Sequence, residues 1–217
     1  MSKQITSLAL FANGYYGEAT FYRQEIKRND YIIAVDGGAN FLFELEVIPD
    51  EILGDFDSIK PEVYKDYEKK PVKIQRHPRE KDESDLELAL IRAVELKPAG
   101  INIYGALGKR VDHLISNIMV LIMPRKKGIP AVLKDENHEI TIIDSHYKFE
   151  GKQGDYLSLF PLTHEAKGIV TSGLKYQLQG ESLLLGPSRG LSNEFTGRSA
   201  EITLDQGYLV AIKTKRN

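Results

Sequence analysis

The chain has 217 residues, 41% of them apolar and 28% charged, as in a soluble globular protein with room for one large domain or two modest ones. Its 29 Lys and Arg against 31 Asp and Glu leave a formal net charge of -2, so no global basic field points to nucleic acid and no acidic one to a solvating tail. The absence of Cys excludes disulfides, thiolate metal sites and a Cys nucleophile. The apolar stretch after Met1-Ser2-Lys3-Gln4 is too short for a signal sequence or a membrane span, and a cytoplasmic protein with neither a membrane nor a nucleic-acid partner is expected.

Residues 5–11 form a short apolar run closed by Asn13-Gly14, a buried strand ending in a turn. An amphipathic segment over 18–28 precedes a second continuous run, 31–35. Runs without alternation imply strands covered on both faces, hence a parallel sheet. The second run ends in Asp36-Gly37-Gly38-Ala39-Asn40, which reads either as a plain strand-to-helix turn or as a place where a ligand approaches the backbone.

The third strand leads into Gly54-Asp55-Phe56-Asp57-Ser58. If extended, this stretch projects Asp55 and Asp57 to one side and Phe56 to the other. At roughly 6 Å and an effective dielectric of about 20, two carboxylates repel by about 3 kcal/mol, which a hard divalent cation such as Mg²⁺ would relieve. A solvated turn of ordinary turn residues is the bland alternative. Pro61 opens the next helix, and 72–74 is a more polar strand suited to a sheet edge. The charged segment 79–87 follows. In it Ser84 and Glu87 have capping-box spacing, Asp85 takes the first helical position, and Leu86, Ala89, Leu90, Ala93 and Val94 form the buried stripe.

The strand 101–104 runs into Gly105-Ala106-Leu107-Gly108-Lys109-Arg110-Val111-Asp112-His113. Glycines around a Lys-Arg pair at a helix start suit phosphate oxygens, which Arg110 can bind through two bonds. The helix is expected to bury Leu114, Ile115, Ile118, Met119 and Ile122 and to end before Pro124, with Asp112, His113, Ser116 and Asn117 along one end and flank. Neither the P-loop nor the dinucleotide fingerprint is present. Residues 131–133 make a sixth strand.

The strand-helix rhythm predicts a doubly wound, mainly parallel sheet with helices on both faces, whose ligand crevice lies at the C-terminal strand ends. Asp36, Asp55 with Asp57, Asp82 with Asp85, and Arg110 with Asp112 each follow a different strand. Surface acids scattered at random would not sort this way, so a metal-phosphate site on one rim is favoured over unconnected turns.

After 134 the rhythm changes to short β-branched and aromatic runs at 139–144, 156–160, 169–172, 182–185, 199–204 and 208–213. The expected division is an α/β domain over 1–134 and a small all-β sandwich over 135–217. Asp205-Gln206-Gly207 reads as a hairpin turn, and the glycine-rich segment 186–195 as a binding loop.

Taken in order, Asp36-Gly37-Gly38-Ala39-Asn40, Gly54-Asp55-Phe56-Asp57-Ser58, Lys81-Asp82-Glu83-Ser84-Asp85, the 105–113 segment and Gly190-Leu191-Ser192-Asn193 resemble the motifs of the thiamine pyrophosphokinase family. Ser84 stands where Thr is expected, which keeps the cap, and Lys109 where a second Gly is expected. The resemblance implies ATP-dependent transfer of a diphosphate group to the hydroxyl of thiamine, giving AMP, by a homodimer that binds thiamine where two subunits meet. It implies Mg²⁺ and triphosphate positioning by Asp55, Asp57 and Asp85, with Asp82 and Asp112 in support. Asp112 joins Asp55, Asp57 and Asp85 as an expected catalytic acid. Arg110 would hold phosphate, with His113 and Asn117 beside it on the substrate side. Asp36 and Asn40 would face the nucleotide, Ser192 and Asn193 would reach thiamine from the partner subunit, and Phe195 would wall the thiamine rings. Two other readings compete: a metal-dependent hydrolase cutting a nucleotide or pyrophosphate with water, and a nucleotide-sensing module.

Overall fold

The computed structural model describes residues 4–108 and 110–216. The chain divides into two compact units, Met1–Glu136 and Asn137–Asn217.

The first unit runs β1 (Ser7–Phe11), α1 (Ala19–Ile26), β2 (Tyr31–Val35), α2 (Gly38–Glu44), β3 (Glu51–Gly54), α3 (Pro61–Tyr67), β4 (Lys73–Arg76), α4 (Asp85–Glu95), β5 (Gly100–Tyr104), α5 (Val111–Met119), α6 (Ile122–Lys126) and β6 (Ala131–Lys134). These strands pair in parallel in the order β6-β5-β1-β2-β3-β4, which puts the polar β4 at an edge. The chain steps outward from β1 to β4, then returns to the other side of β1 to add β5 and β6. Strand order therefore reverses between β1 and β5, where doubly wound sheets open a crevice at the strand C-termini.

Alternation along the strands covers both faces. Ala9 and Phe11 of β1, Ile32 and Ala34 of β2 and Ile52 of β3 pack with Tyr22 of α1, Ala39 and Leu42 of α2, and Val63 and Tyr67 of α3. The intervening Leu8, Leu10, Ile33 and Leu53 are equally buried, and α4 lies on β2 and β3 with Leu86, Ala89, Leu90 and Ala93 inward. Each such Leu, Ile, Val or Phe side chain contributes roughly 1.5–3 kcal/mol by leaving water. The Ser84 hydroxyl accepts a hydrogen bond from the Glu87 amide at 3.2 Å, so α4 starts at its predicted cap.

Helix α5 departs from expectation. None of its residues is fully buried: of the stripe expected to face the core, Ile115 and Met119 are exposed and Leu114 and Ile118 half-buried, and Val111 is exposed as well. Nor does Pro124 stop a helix. It sits within α6, a separate short helix, in whose first turn a missing N–H costs little.

The second unit holds β7 (His138–Ile143), β8 (His146–Glu150), β9 (Tyr156–Pro161), β10 (Glu165–Ser172), β11 (Gln179–Leu184), β12 (Asn193–Glu194), β13 (Ser199–Thr203) and β14 (Leu209–Thr214). Two antiparallel sheets, β12-β9-β14-β7 and β11-β10-β13-β8, share one core of Ile143, Phe149, Leu157, Ile169, Leu183, Ile202 and Leu209. This is the predicted sandwich. Strand β8 escapes a hydropathy reading because only Phe149 is fully buried and only Tyr147 packs beside it among polar neighbours. Asp205-Gln206-Gly207 is not a hairpin turn, since β13 and β14 belong to different sheets and the segment carries the chain from one to the other. Among the described residues no helix is long and apolar enough to cross a membrane.

Candidate active site

A cleft of about 710 Å³ opens at the C-terminal edge of the parallel sheet in the first unit. Its walls come from the segment after β1 (Asn13, Gly14, Tyr15), from Asp36 after β2, from Asp55, Asp57 and Ser58 after β3, and from Arg79, Lys81 and 83–86 before and at the start of α4. Gly105, Ala106, Gly108, Arg110, His113 and Asn117 close it from the β5–α5 side.

At its floor, carboxylate oxygens of Asp36, Asp55 and Asp57 all lie within 4.8 Å of one another. The backbone that achieves this is not extended: β3 ends at Gly54 and Phe56 takes φ 68°, turning its ring under the loop toward Tyr64 and the Arg76 guanidinium. Asp55 and Asp57 converge by a local turn, in which the Asp57 amide donates to Asp55 Oδ1 at 3.0 Å. The Ser58 hydroxyl donates to Asp57 Oδ1 at 2.9 Å. Asn40, expected on the nucleotide side, braces this loop instead: its Nδ2 donates to the Ser58 carbonyl at 2.8 Å and its Oδ1 accepts from the Lys60 amide at 2.9 Å.

Asp36 is buried, has φ 48° and leaves Oδ1 without a hydrogen-bond partner. Burial pushes its pKa up, and the charges of Asp85 and Asp55 add to that, while bonds from Ser58 and the Gly37 amide only partly offset it. Gly38 after Asp36 serves the fold: a Cβ on it would stand 1.9 Å from the Phe11 carbonyl oxygen, so α2 can start against β1 only without one. An orphaned buried carboxylate oxygen beside two more acids, with oxygen the sole donor type, fits a hard divalent cation such as Mg²⁺.

Asp85 lines the same cleft, but its Oδ1 is 2.7 Å from Lys81 Nζ, so Asp36 and not Asp85 completes the carboxylate cluster. Asp82 is exposed and outside the cleft lining. Arg110 is exposed and forks onto Asp112, with Nη2 2.5 Å from Oδ2 and Nε 3.2 Å from Oδ1. The Arg110 bond and charge, with the His113 amide, hold Asp112 at about 2. Asp112 itself faces a separate groove with Ile115 and Met119. Asn117 Nδ2 donates to the Ala106 carbonyl at 2.9 Å, tying α5 to the loop after β5. Lys109 lies outside the described residues.

In the second unit, Ser192 takes φ 56° and its amide donates to Ser158 Oγ at 3.0 Å. Asn193 bonds both backbone groups of Tyr176, at 3.0 and 2.6 Å, so its amide group fixes the loop before β11. Phe195 is 2% exposed and belongs to the sandwich core, which leaves no free ring face for the expected thiamine wall. Sequence reasoning missed Arg79 and Lys81, whose cations face the acids; Arg79 Nη2 is 3.6 Å from Asp57 Oδ2. Their signal lay in the charge density of 79–87. Tyr15 gave no signal.

Residues 22–133 match the family model described as "Thiamin pyrophosphokinase, catalytic domain", and residues 137–209 match "Thiamin pyrophosphokinase, vitamin B1 binding domain". The chain belongs to the thiamin pyrophosphokinase family. It is 32% identical over 184 residues to thiamine pyrophosphokinase of Bacillus subtilis (strain 168), covering 84% of this chain and 86% of that one. It is 27% identical over 210 residues to thiamine pyrophosphokinase 1 of Oryza sativa subsp. japonica, covering 84% and 78%. The crystal structure of thiamine pyrophosphokinase from Bacillus subtilis superposes with a TM-score of 0.86 at 29% identity, covering 98% of this chain and 100% of that one. This member of the family is accordingly an enzyme of the thiamine pyrophosphokinase type, which forms thiamine diphosphate.

Proposed function

We propose that the enzyme transfers the terminal diphosphate of ATP to the thiamine hydroxyl in the cleft of the first unit, releasing AMP. The observation that carries this reading is the convergence of Asp36, Asp55 and Asp57 at the sheet's ligand edge, with Lys81, Arg79 and Arg110 around them. Acids that close repel unless a cation joins them, and the surrounding guanidinium and ammonium groups suit a polyphosphate.

Asp36, Asp55 and Asp57 would hold Mg²⁺, which when bound offsets charge on the phosphate oxygens. Arg110 would release Asp112 to grip phosphate through two bonds, and Lys81 and Arg79 would neutralise the rest. The thiamine oxygen forms a bond to the β-phosphorus as the bond from that phosphorus to the α-phosphate oxygen breaks. The hydroxyl proton passes to a carboxylate of the cleft and AMP carries away the bridging oxygen. The chain's contribution is to place donor and acceptor in line and to neutralise charge.

Thiamine would be bound by the second unit, which matches the B1-binding family model, with Ser192 and Asn193 reaching it from a partner subunit. A homodimer is supported by the exposed apolar stripe of Val111, Ile115 and Met119 and by Leu184, Leu185 and Leu191 in the second unit. We place the reaction in the cytoplasm, where a cysteine-free chain needs no oxidising compartment.

Incubation with ATP, Mg²⁺ and thiamine tests the reading. AMP and thiamine diphosphate in equal amounts are expected. AMP formed without thiamine would identify a hydrolase instead, and an absence of turnover a nucleotide-sensing module.

A further inference from the structure

Tyr15 is the one Phe or Tyr in the cleft lining, and the chain has no Trp. It is 67% exposed, and among the described residues it has no hydrogen bond or ring contact. The chain is held on both sides of it. Its neighbour Tyr16 turns the other way, with its ring centroid 3.7 Å from that of Phe41 at 5°, and its hydroxyl donates to the Ala12 carbonyl. On the other side a Cβ at Gly14 would fall 2.0 Å from the Gly105 carbonyl oxygen, so the segment after β1 lies backbone to backbone against the loop after β5. The chain thus spends one tyrosine as a buried anchor and displays the next at the mouth of the cleft.

That place is the strand-order reversal between β1 and β5, the position where doubly wound sheets take nucleotides. From it the cleft runs past Asp36 to Asp55 and Asp57, with the cations of 79–81 and Arg110 along the way. A ligand with a phosphate chain over the acids would leave its other end at Tyr15. A flat, rigid, otherwise uncommitted ring there suits a nucleobase, since base–aromatic stacking needs a face and not a hydrogen-bond pattern. The thiamine rings are the other aromatic group in the reaction, but their binding falls to the second unit.

We propose that Tyr15 is the nucleobase platform of this enzyme, with the adenine of ATP stacked on its ring. The proposal rests on ATP as the donor. It implies loose base selection, because every base offers a face, and it predicts that purine nucleotides bind more tightly than pyrimidine ones.

Calorimetric titration with AMP and, separately, with inorganic tripolyphosphate tests it on the wild type, Tyr15→Phe and Tyr15→Ala. Tyr15→Ala should bind AMP roughly tenfold more weakly, in line with the loss of one base–aromatic stack, with tripolyphosphate binding unchanged. Tyr15→Phe should retain both. In steady state, Tyr15→Ala should raise KM for ATP by a similar factor with KM for thiamine and kcat within about twofold of wild type. Unchanged AMP binding in Tyr15→Ala would overturn the platform. So would parallel loss of tripolyphosphate binding, which would mark a collapsed loop, or a raised KM for thiamine alone, which would assign the ring to the acceptor. AMP binding needs no turnover, so these outcomes stand apart from whether ATP serves as the diphosphate donor.

Discussion

Arg92 of α4 forks onto Glu51 of β3, with Nη2 2.6 Å from Oε1 and Nε 3.0 Å from Oε2. Glu51 is fully buried and also accepts from Tyr31 at 2.7 Å, Lys73 at 3.2 Å and Gln75 at 3.2 Å. The pair ties the strand that ends at Gly54, just before Asp55, to the helix that begins at Asp85, so it links the elements that carry those two acids.

Removing Arg92 takes the closest cation from a buried carboxylate and leaves Lys73, Tyr31 and Gln75 to hold it. Arg92→Ala should destabilise the fold by about 1.5–3 kcal/mol in urea denaturation. Burial alone would raise the Glu51 pKa, but the bonds from Arg92, Tyr31 and Lys73 together outweigh it and hold the group below the usual carboxylate range. A depressed folded value means that its share of stability is complete above the unfolded value near 4.5 and is lost as pH falls through the folded one. Glu51→Gln should therefore flatten the acid limb of stability against pH, and an unchanged limb would refute the assignment.

Asp36 has the opposite sign. Its folded pKa is raised, so its share of stability is complete below the ordinary carboxylate value and is lost as pH rises through the folded one. Ionised and without a divalent cation beside it, the group opposes folding. Asp36→Asn should melt above wild type in EDTA, while turnover falls by roughly a hundredfold or more. Mg²⁺ should raise the melting temperature of wild type and not of the variant. Equal Mg²⁺ stabilisation of both proteins would remove Asp36 from the metal site.

Much of this was legible in the sequence because local signals agreed with the fold. Continuous apolar runs such as Tyr31–Val35 became parallel strands, and Ser84 capped α4 where its spacing to Glu87 required. Asp55 and Asp57 were recognisable as a pair, though not by the route the structure takes. Strand alternation predicts their common side, and a turn with Phe56 at positive φ delivers it. The failures share a cause, which is that periodicity shows which residues are apolar and not what covers them. The α5 stripe has the pattern of a buried face, yet Ile115 and Met119 in it are exposed and Leu114 and Ile118 only half-buried, whereas Phe195, in a loop-like segment, is in the sandwich core. Tyr15 is invisible to pattern reading because its place at the cleft depends on how Tyr16 and Gly14 on either side of it pack.

The burial of Phe195 separates a packing role from a ligand-wall role. Phe195→Ala should cost about 3–5 kcal/mol, with loss of the ring's transfer energy and a cavity left in the sandwich core to which Phe149, Leu157 and Leu174 also belong. Phe195→Leu should cost less than about 1.5 kcal/mol and leave KM for thiamine unchanged. A tenfold rise in that KM at an unaltered melting temperature would restore Phe195 as a thiamine contact.

The exposed α5 stripe tests the dimer. Val111, Ile115 and Met119 recur four residues apart, so they share one helix face, and no residue of α5 is buried to balance that exposure. A second copy covering the stripe would remove it from water and place the two chains beside the cleft, because α5 starts at the Arg110 loop. Light scattering should give twice the chain mass for the wild type. Ile115→Asp puts a charge in the middle of the stripe without disturbing a core, so the chain should stay folded by circular dichroism and shift to monomer. If Ser192 and Asn193 complete the thiamine site from the partner, the monomer should bind AMP as before and lose turnover with thiamine. A monomeric variant with full turnover would show that one chain carries the whole site.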